Sequence, residues 1–467
     1  MSTKPYKTRL FCIAIMWVSM IGVVIGAFGG LAYGQQYKLS TFSADVTIPL
    51  GHRCMGLLRT KSQKIVDPLR VYGFVLHSSD KPIVLAAFDW CEIRNGAYDA
   101  FRDALAEAAG TERQRVIVSA LHQHDAPVVD REAQLLLDHV GLPNELHNTA
   151  FLDDTIKRVS RAVSDSMDQA KPISHIGYGM AEVEKVASSR RVKEADGRIT
   201  HNRGSSSGGD KHYADAPDGD IDPFVRTIAF YNGEQPILAL HSYATHPMSY
   251  YGRGGVTWDF VGIARERLRR ENRGIEHIYL SGCSGDVTAG KYNDGSTDNR
   301  QVLADRLYTG MKKSFNSIKR QPLTQLDFRS IPFHLEYNQN PEYKRDILTE
   351  QLENKELDII KRIAAAMSLS SLNRVEQKHP IDMACIDFGH GKVVLFPGET
   401  FVGYQLMAQQ LLPEHFIFSI GFGESWPGYI PMKRDYEDGF NGHGWSWVSE
   451  KATDQLPAAL KKALGIK

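Results

Sequence analysis

Short apolar segments that stop at clusters of Gly, Pro, His or Asp recur along this 467-residue sequence. Ile83–Phe88 ends at Asp89, a helical pattern follows at residues 98–109, and the next apolar segment begins at Val116. A continuous apolar run of this length is typical of a strand buried on both faces. The alternation of such strands with helices predicts an α/β fold with a mixed β-sheet core flanked by helices.

The same alternation returns in the second half of the chain. The pattern predicts strands at residues 237–243, 275–280, 392–396 and 416–420, and helices at residues 260–271, 303–318 and 401–412. Ligand sites in open α/β sheets lie just beyond strand ends. The polar clusters after these strands are therefore the candidate site residues.

Two segments interrupt the alternation. Residues 193–222 are polar and rich in Gly, Ser and Asp, which predicts either a functional lid or a disordered loop. Residues 341–367 are charged and strongly helical, which predicts a surface hairpin or cover.

Two histidines stand two positions apart in His122-Gln123-His124, soon after the strand predicted to begin at Val116. On an extended backbone, side chains two positions apart point to the same side. One imidazole could then bind a metal ion while the other acts beside it. The alternative is a pair of hydrogen-bonded histidines near the surface, and the pair alone favours neither interpretation.

Further candidate ligands follow other predicted strands. His246 comes after residues 237–243, and it favours a metal site because a catalytic zinc ion takes about three protein ligands plus water. Glu399 follows residues 392–396, although a glutamate there could simply favour a helix N-terminus. Tyr429 would ordinarily be a packing residue.

Polar groups elsewhere could contact a substrate. Thr288, in the turn that begins at Gly285, offers a hydroxyl group. Arg190 and Arg191 could bind a carboxylate or an oxyanion, although two adjacent arginines are most often surface charge.

The charge balance and the N-terminus limit the classes of partner. Lys plus Arg and Asp plus Glu both number 55, so the formal net charge is zero and nucleic-acid binding has no support. Lys4, Lys7 and Arg9 precede an apolar stretch at residues 10–28. This pattern predicts an export signal or an uncleaved membrane anchor within residues 1–36, and hence a periplasmic or extracellular protein. A buried N-terminal core helix is the alternative.

The cysteines contain no CxxC or CxxxC pair, which argues against a structural zinc–thiolate site. We expect buried thiols, or at most one or two disulfides, and a metal ion bound by nitrogen and oxygen. The cysteines outside the N-terminal segment are Cys54, Cys91, Cys283 and Cys385.

Taken together, these segments resemble the catalytic domain of the neutral/alkaline (non-lysosomal) ceramidase family. They occur in the family's order: Asp45-Val46-Thr47-Ile48-Pro49, His122-Gln123-His124-Asp125-Ala126-Pro127, His246-Pro247-Met248-Ser249, Gly285-Asp286-Val287-Thr288, Phe396-Pro397-Gly398-Glu399 and Gly428-Tyr429-Ile430-Pro431. The resemblance covers residues 37–467 and implies a metal site at strand ends.

The resemblance also implies roles for individual residues. The residues that match the family's zinc ligands are His122, His246, Glu399 and Tyr429. His124 matches the second active-site histidine, Arg190 the substrate-contacting arginine, and Thr288 an active-site serine. We also consider Asp89 and Asp259 as hydrogen-bond acceptors for the metal-binding histidines.

The chain departs from the family at three points. Thr288 replaces a serine, Phe440 stands where the family has an active-site tyrosine, and we expect no C-terminal β-sandwich domain. The predicted function is an exported zinc-dependent amide hydrolase for an N-acyl lipid-like substrate, with possible association at a membrane surface. The alternatives are a zinc hydrolase of another ester or amide, and a metal-retaining envelope binding protein with weak catalysis.

Overall fold

The computed structural model describes residues 37–466. Fourteen strands form three sheets, and each sheet takes consecutive strands of the chain. The first sheet contains β1 (Tyr37–Asp45), β2 (Arg70–His77), β3 (Ile83–Phe88), β4 (Val116–Ala120) and β5 (Lys171–Ile173). The second contains β6 (His175–Glu182), β7 (Phe224–Asn232), β8 (Gln235–Tyr243), β9 (Glu276–Ser281) and β10 (Lys319–Pro322). The third contains β11 (Asp327–Phe333), β12 (Ile381–Asp387), β13 (Gly391–Leu395) and β14 (Phe416–Ile420).

The helices of the described residues occupy the connections and the outer faces. They are α1 (Asn95–Ala109), α2 (Arg131–His139), α3 (Thr149–Met167), α4 (Lys211–Asp215), α5 (Asp259–Glu271), α6 (Thr297–Asn316), α7 (Arg345–Glu353), α8 (Ile359–Glu376), α9 (Val402–Leu411), α10 (Lys433–Glu437) and α11 (Ala452–Leu464). The predicted α/β fold with mixed sheets and flanking helices is confirmed.

Each sheet contains one parallel pair of strands, while its other pairs are antiparallel. The parallel pairs are β3–β4, β8–β9 and β13–β14. Parallel strands need a crossover connection, which α1, α5 and α9 supply in turn. Each sheet therefore contains one βαβ unit, with antiparallel strands added to one side of it.

The apolar faces of the three sheets meet in one buried cluster. Phe74 of β2 packs on Phe230 of β7 with ring centroids 6.1 Å apart. Phe230 in turn packs on Phe388, beside the third sheet, at 5.5 Å. Because residues two apart on a strand share a face, the alternate residues of each strand turn outward and are covered by helices.

The segment predicted as a surface hairpin or cover differs from that prediction. It forms the α7–α8 hairpin, but α8 runs on to Glu376 and is largely buried. Its small side chains, such as Ala366 and Ser370, permit close packing on α2. The charged residues that suggested a surface location are concentrated in α7 and the loop before α8.

The predicted loop at residues 193–222 contains a short strand pair, Val192–Lys193 with Ile199–Thr200, followed by α4. The buried guanidinium of Arg203 ties it together by donating to the backbone carbonyls of Ser189 and Pro217, at 2.7 and 2.9 Å. The segment is ordered, so the alternative of a disordered loop is wrong, and the role of a functional lid stays a prediction.

The predicted export signal or anchor, at residues 1–36, lies outside the described residues. Within residues 37–466, no helix is long and apolar enough to cross a membrane. The expectation of buried thiols is confirmed by the cysteines of this part of the chain, all of which are buried and free: Cys54, Cys91, Cys283 and Cys385.

Candidate metal centre

Each parallel strand pair contributes one residue to a common site. His122 lies just after β4, His246 just after β8, and Glu399 just after β13. A short parallel ladder then pairs Glu399 with Tyr429, which brings the tyrosine alongside the carboxylate. The ends of these three strands converge because the sheets pack face to face. Ligand sites in α/β sheets lie just beyond such strand ends.

The two histidines of His122-Gln123-His124 reach the same site, but the backbone route differs from the prediction. Strand β4 ends at Ala120, and His122 has a left-handed φ of 71° instead of an extended backbone. The N–H of His122 donates to the carbonyl of Trp90, so the chain leaves the sheet in a turn. The rings of His122 and His124 are edge-to-face with centroids 5.3 Å apart.

The tautomers of the two candidate ligands follow from backbone carbonyls. Nδ1 of His122 lies 3.0 Å from the Cys91 carbonyl, and Nδ1 of His246 lies 2.6 Å from the Ser284 carbonyl. A carbonyl can only accept, so both Nδ1 atoms are the donors. In the neutral imidazoles, both Nε2 atoms therefore carry a lone pair.

Those lone pairs face the same carboxylate oxygen. Oε2 of Glu399 lies 2.9 Å from Nε2 of His246 and 3.4 Å from Nε2 of His122. Three electron-pair donors at these distances repel one another unless a proton or a cation lies between them. The potential ligand atoms of the three residues lie within 4.8 Å of one another. The donor set therefore fits a metal ion.

The pKa values of His122 and Glu399 are shifted because these groups lie so close together. Burial alone lowers the pKa of His122, but the Glu399 carboxylate and Cys91 together outweigh burial and raise this pKa well above its usual value. Burial tends to raise the pKa of Glu399, yet His122 and His246 hold it below its usual range. Without a metal, a proton on His122 supplies the missing positive charge.

Tyr429 and His124 complete the inner part of the site. Burial and the nearby Glu399 carboxylate raise the pKa of the Tyr429 hydroxyl, and its ring lies 6.4 Å from that of His246. Burial, followed by His122 and His246, lowers the pKa of His124 well below its usual value, so His124 is neutral. Its Nδ1 is buried and has no hydrogen-bond partner in the described part of the chain.

A cavity of about 190 Å³ opens at this cluster. It is lined by His122, His124, Glu399, Tyr429, Cys91, Glu92, Met55, Leu57, His443 and Trp445. Sequence reasoning had not identified the last six of these as lining residues. Glu92 is a charged residue four positions after the end of β3, whereas the other five follow no local pattern.

The remaining predicted residues lie at different distances from the centre. The guanidinium carbon of Arg190 lies 6.0 Å from the centroid of the Tyr429 ring. The Thr288 hydroxyl accepts from the N–H of Gly290 at 3.0 Å, and Thr288 does not line the cavity, so its catalytic role stays a prediction. Phe440 packs on Tyr429 with centroids 5.9 Å apart.

The hypothesis that Asp89 and Asp259 accept hydrogen bonds from the metal-binding histidines is wrong. Asp89 pairs with Arg265 at 2.5 Å, and Asp259 lies 3.5 Å from Arg300. Within residues 37–466, the Nδ1 atoms of the two imidazoles face backbone carbonyls instead, those of Cys91, Ser284 and Val287. The arginines come from distant helices, so nothing adjacent in the sequence indicated these pairs.

No family model matches the sequence, and no curated protein matches it. Among solved structures, the chain is similar to the neutral ceramidase of Pseudomonas aeruginosa, with a TM-score of 0.67 and 13% identity over 92% of this chain and 74% of that one. A ceramidase complexed with C2 matches with a TM-score of 0.65 and 13% identity, over 92% and 76% of the two chains. The chain therefore has the fold of the neutral ceramidases, as the sequence resemblance predicted.

Proposed function

We propose that this protein is a zinc-dependent hydrolase that cleaves the amide bond of an N-acyl lipid-like substrate. The observation that carries this proposal is the convergence of two imidazole Nε2 atoms on one carboxylate oxygen at a cavity. The ceramidase fold supports the same reaction class, since the two solved structures above are both ceramidases.

The ligand set favours zinc among the common metal ions. His122, His246, Glu399 and Tyr429 would hold it with two nitrogen and two oxygen donors, a set that suits zinc. A zinc ion bound there supplies Lewis acidity, which polarises an amide carbonyl and makes water more acidic. The Cys91 and Ser284 carbonyls fix the orientation of both imidazoles, so both Nε2 lone pairs face Oε2 of Glu399.

The neighbouring side chains would move the proton and stabilise charge. His124 is neutral, lines the cavity and has a free Nδ1, so it can accept a proton from attacking water and return it to the leaving nitrogen. The guanidinium of Arg190 lies beside Tyr429, where it would neutralise the oxyanion that develops on the carbonyl or hold a polar group of the substrate.

We also propose that the protein is exported. This rests on Lys4, Lys7 and Arg9 ahead of the apolar stretch at residues 10–28. Fractionation of the producing cells tests it: a soluble envelope fraction indicates cleavage, a membrane fraction indicates an anchor, and a cytoplasmic location contradicts export.

The function is tested by metal analysis combined with a fluorogenic N-acyl-sphingosine assay. We expect about one zinc ion per chain, with both zinc and turnover lost in His122→Ala and in His246→Ala. The exposed His379 provides a matched control, and His379→Ala should retain both.

Two outcomes would contradict parts of this proposal. Stoichiometric zinc without turnover on amides or esters would favour a metal-retaining binding protein. Protein that takes up no zinc after reconstitution would refute the metal site itself.

A further inference from the structure

Arg190 lies beside the cavity, with its guanidinium carbon 6.0 Å from the ring centroid of Tyr429, which lines it. No carboxylate of residues 37–466 pairs with this guanidinium. Its Nε is buried without a hydrogen-bond partner. Its two neighbours in space are satisfied: Arg191 pairs with Asp438 at 2.7 Å, and Arg203 donates to backbone carbonyls. A partly buried guanidinium without a counter-ion is unfavourable, so its position is best explained by a negatively charged ligand.

The carboxylates that face the cavity are already engaged. Glu399 interacts with the two imidazoles described above. Glu92 accepts from Nη1 of Arg94 and from Nε1 of Trp445, both at 3.1 Å. Neither carboxylate is free to pair with Arg190, and their engagement reduces the repulsion that an incoming anion would meet.

His443 provides a second polar group on the same side of the cavity. Its ring lies 5.3 Å from that of Phe440, and Phe440 and Arg190 both lie against the Tyr429 ring, at 5.9 and 6.0 Å. The backbone φ of His443 is 49°, between two glycines with φ of 74° and 77°. Because a non-glycine residue rarely adopts this conformation, the loop holds the ring at the cavity edge at a cost in backbone strain.

The rest of the lining suits a short apolar group. Met55, Leu57 and the ring of Trp445 add apolar surface to the cavity lining. Its volume of about 190 Å³ is below the roughly 300–1,000 Å³ of typical drug-sized ligand sites. The enclosed space therefore accommodates an amide, the start of an acyl chain and one small polar group.

We propose that the substrate is an anionic amide of the N-acyl amino acid class, and that Arg190 binds the carboxylate next to the scissile amide. This inference rests on the proposed hydrolase function and names its substrate class. The apolar lining takes the acyl chain, so the charged group belongs to the amine portion. Hydrolysis adds water across the C–N bond, releasing a fatty acid and an amino acid whose nitrogen takes the proton.

A pair of nearly isosteric substrates tests the charge preference. N-hexanoylglycine and N-hexanoylglycinamide differ only in carboxylate against carboxamide, and N-hexanoyl-sphingosine represents a neutral ceramide. With zinc-loaded full-length protein, we expect kcat/KM to favour the carboxylate by about ten- to a hundredfold, as a charge-assisted hydrogen bond implies.

Substitutions of Arg190 test whether this residue causes the preference for the carboxylate substrate. Arg190→Gln should abolish the ratio between the two substrates, whereas Arg190→Lys should retain part of it. Arg191→Gln is the matched control, because Arg191 pairs with Asp438, and it should leave the ratio unchanged. Calorimetry on the metal-free protein, in which zinc cannot attract the carboxylate, should show the same preference in the wild type and none in Arg190→Gln.

The outcomes separate this inference from the function on which it rests. Equal or better hydrolysis of the glycinamide or the sphingosine amide would overturn the anionic substrate and leave the hydrolase intact. Absence of turnover on all three substrates would refute the proposed function. Calorimetry would then decide the anion site alone, and equal binding of the two glycine ligands would overturn it.

Discussion

Replacing Asp286 by Asn should make the protein more stable above neutral pH, although it removes a charged residue of a site motif. Asp286 is only 2% exposed, and its carboxylate accepts from the N–H of Val402 at the start of α9 at 2.8 Å. Asparagine keeps the oxygen that accepts this bond. The substitution therefore removes the buried negative charge and preserves the contact.

The magnitude follows from the pKa. Burial raises the pKa of the Asp286 carboxyl from 3.8 to about 7, with Asp435 adding to the increase and the Val402 N–H opposing it. The folded state thus binds the proton more tightly than the unfolded state, so stability falls as pH rises from about 4 to about 7. A gap of about three pH units at about 1.4 kcal/mol each corresponds to about 4 kcal/mol of destabilisation above pH 7.

Urea unfolding followed by tryptophan fluorescence measures this effect. The free energies of unfolding of the wild type and Asp286→Asn should be compared at several pH values between 4 and 8, with a chelator present to remove metal linkage. The variant should gain about 1.4 kcal/mol relative to the wild type for each pH unit between about 4 and 7. Asp165→Asn, which removes an exposed carboxyl from α3, controls for the loss of one negative charge.

The decisive quantity is the difference in the free energy of unfolding between the wild type and Asp286→Asn as a function of pH. A difference that stays constant across this pH range would show that Asp286 is ionised in the folded protein at acidic pH. Burial would then not govern its pKa, and the reasoning above would be refuted.

Three further predictions concern the surroundings of the site. Arg94→Met should lower the free energy of unfolding in urea by about 3–5 kcal/mol, because it leaves two fully buried carboxylates without their cation; an unchanged midpoint would contradict this. Gly285→Ala should weaken zinc binding at least about tenfold in a chelator competition, because a Cβ would lie 2.1 Å from the Glu399 carbonyl oxygen. Gly209→Ala, where the nearest atom is 4.0 Å away, should bind zinc normally. Unfolding should expose four additional thiols to Ellman's reagent, while early labelling or a disulfide would contradict the buried free state of Cys54, Cys91, Cys283 and Cys385.

The strand and helix pattern was accessible from the sequence because burial on both faces leaves uninterrupted apolar runs. Ile83–Phe88 and Phe416–Ile420 have the bounds that such runs predicted. Helix α8 was misjudged because most charges of the predicted segment lie in α7 and the loop before α8, and because many residues of its buried face are small alanines and serines. The division into three sheets depends on long-range pairing, which no local pattern encodes.

The site was predictable only where its residues follow strand ends. His122, His246 and Glu399 do so, and the structure brings them together. The left-handed turn at His122 depends on a backbone hydrogen bond to Trp90, thirty-two positions earlier in the chain, so the strand alternation first used to explain the pair was wrong. Lining residues such as Met55 were not predictable because only the tertiary fold places them at the cavity.

The structure contains a second group of possible ligands, which makes the choice of metal position testable. Cys91, His122 and His124 also have potential ligand atoms within 4.8 Å of one another. A metal ion there would bind sulfur, whereas the centre proposed above contains only nitrogen and oxygen donors. His122 belongs to both groups, so its substitution alone cannot distinguish them.

X-ray absorption spectroscopy at the zinc edge distinguishes the two positions directly. For the zinc-loaded protein, we predict nitrogen and oxygen ligands at about 2.0–2.2 Å, with the scattering pattern of two imidazoles and no sulfur. A sulfur ligand at about 2.3 Å would place the ion at Cys91 and contradict a centre built on His246 and Glu399.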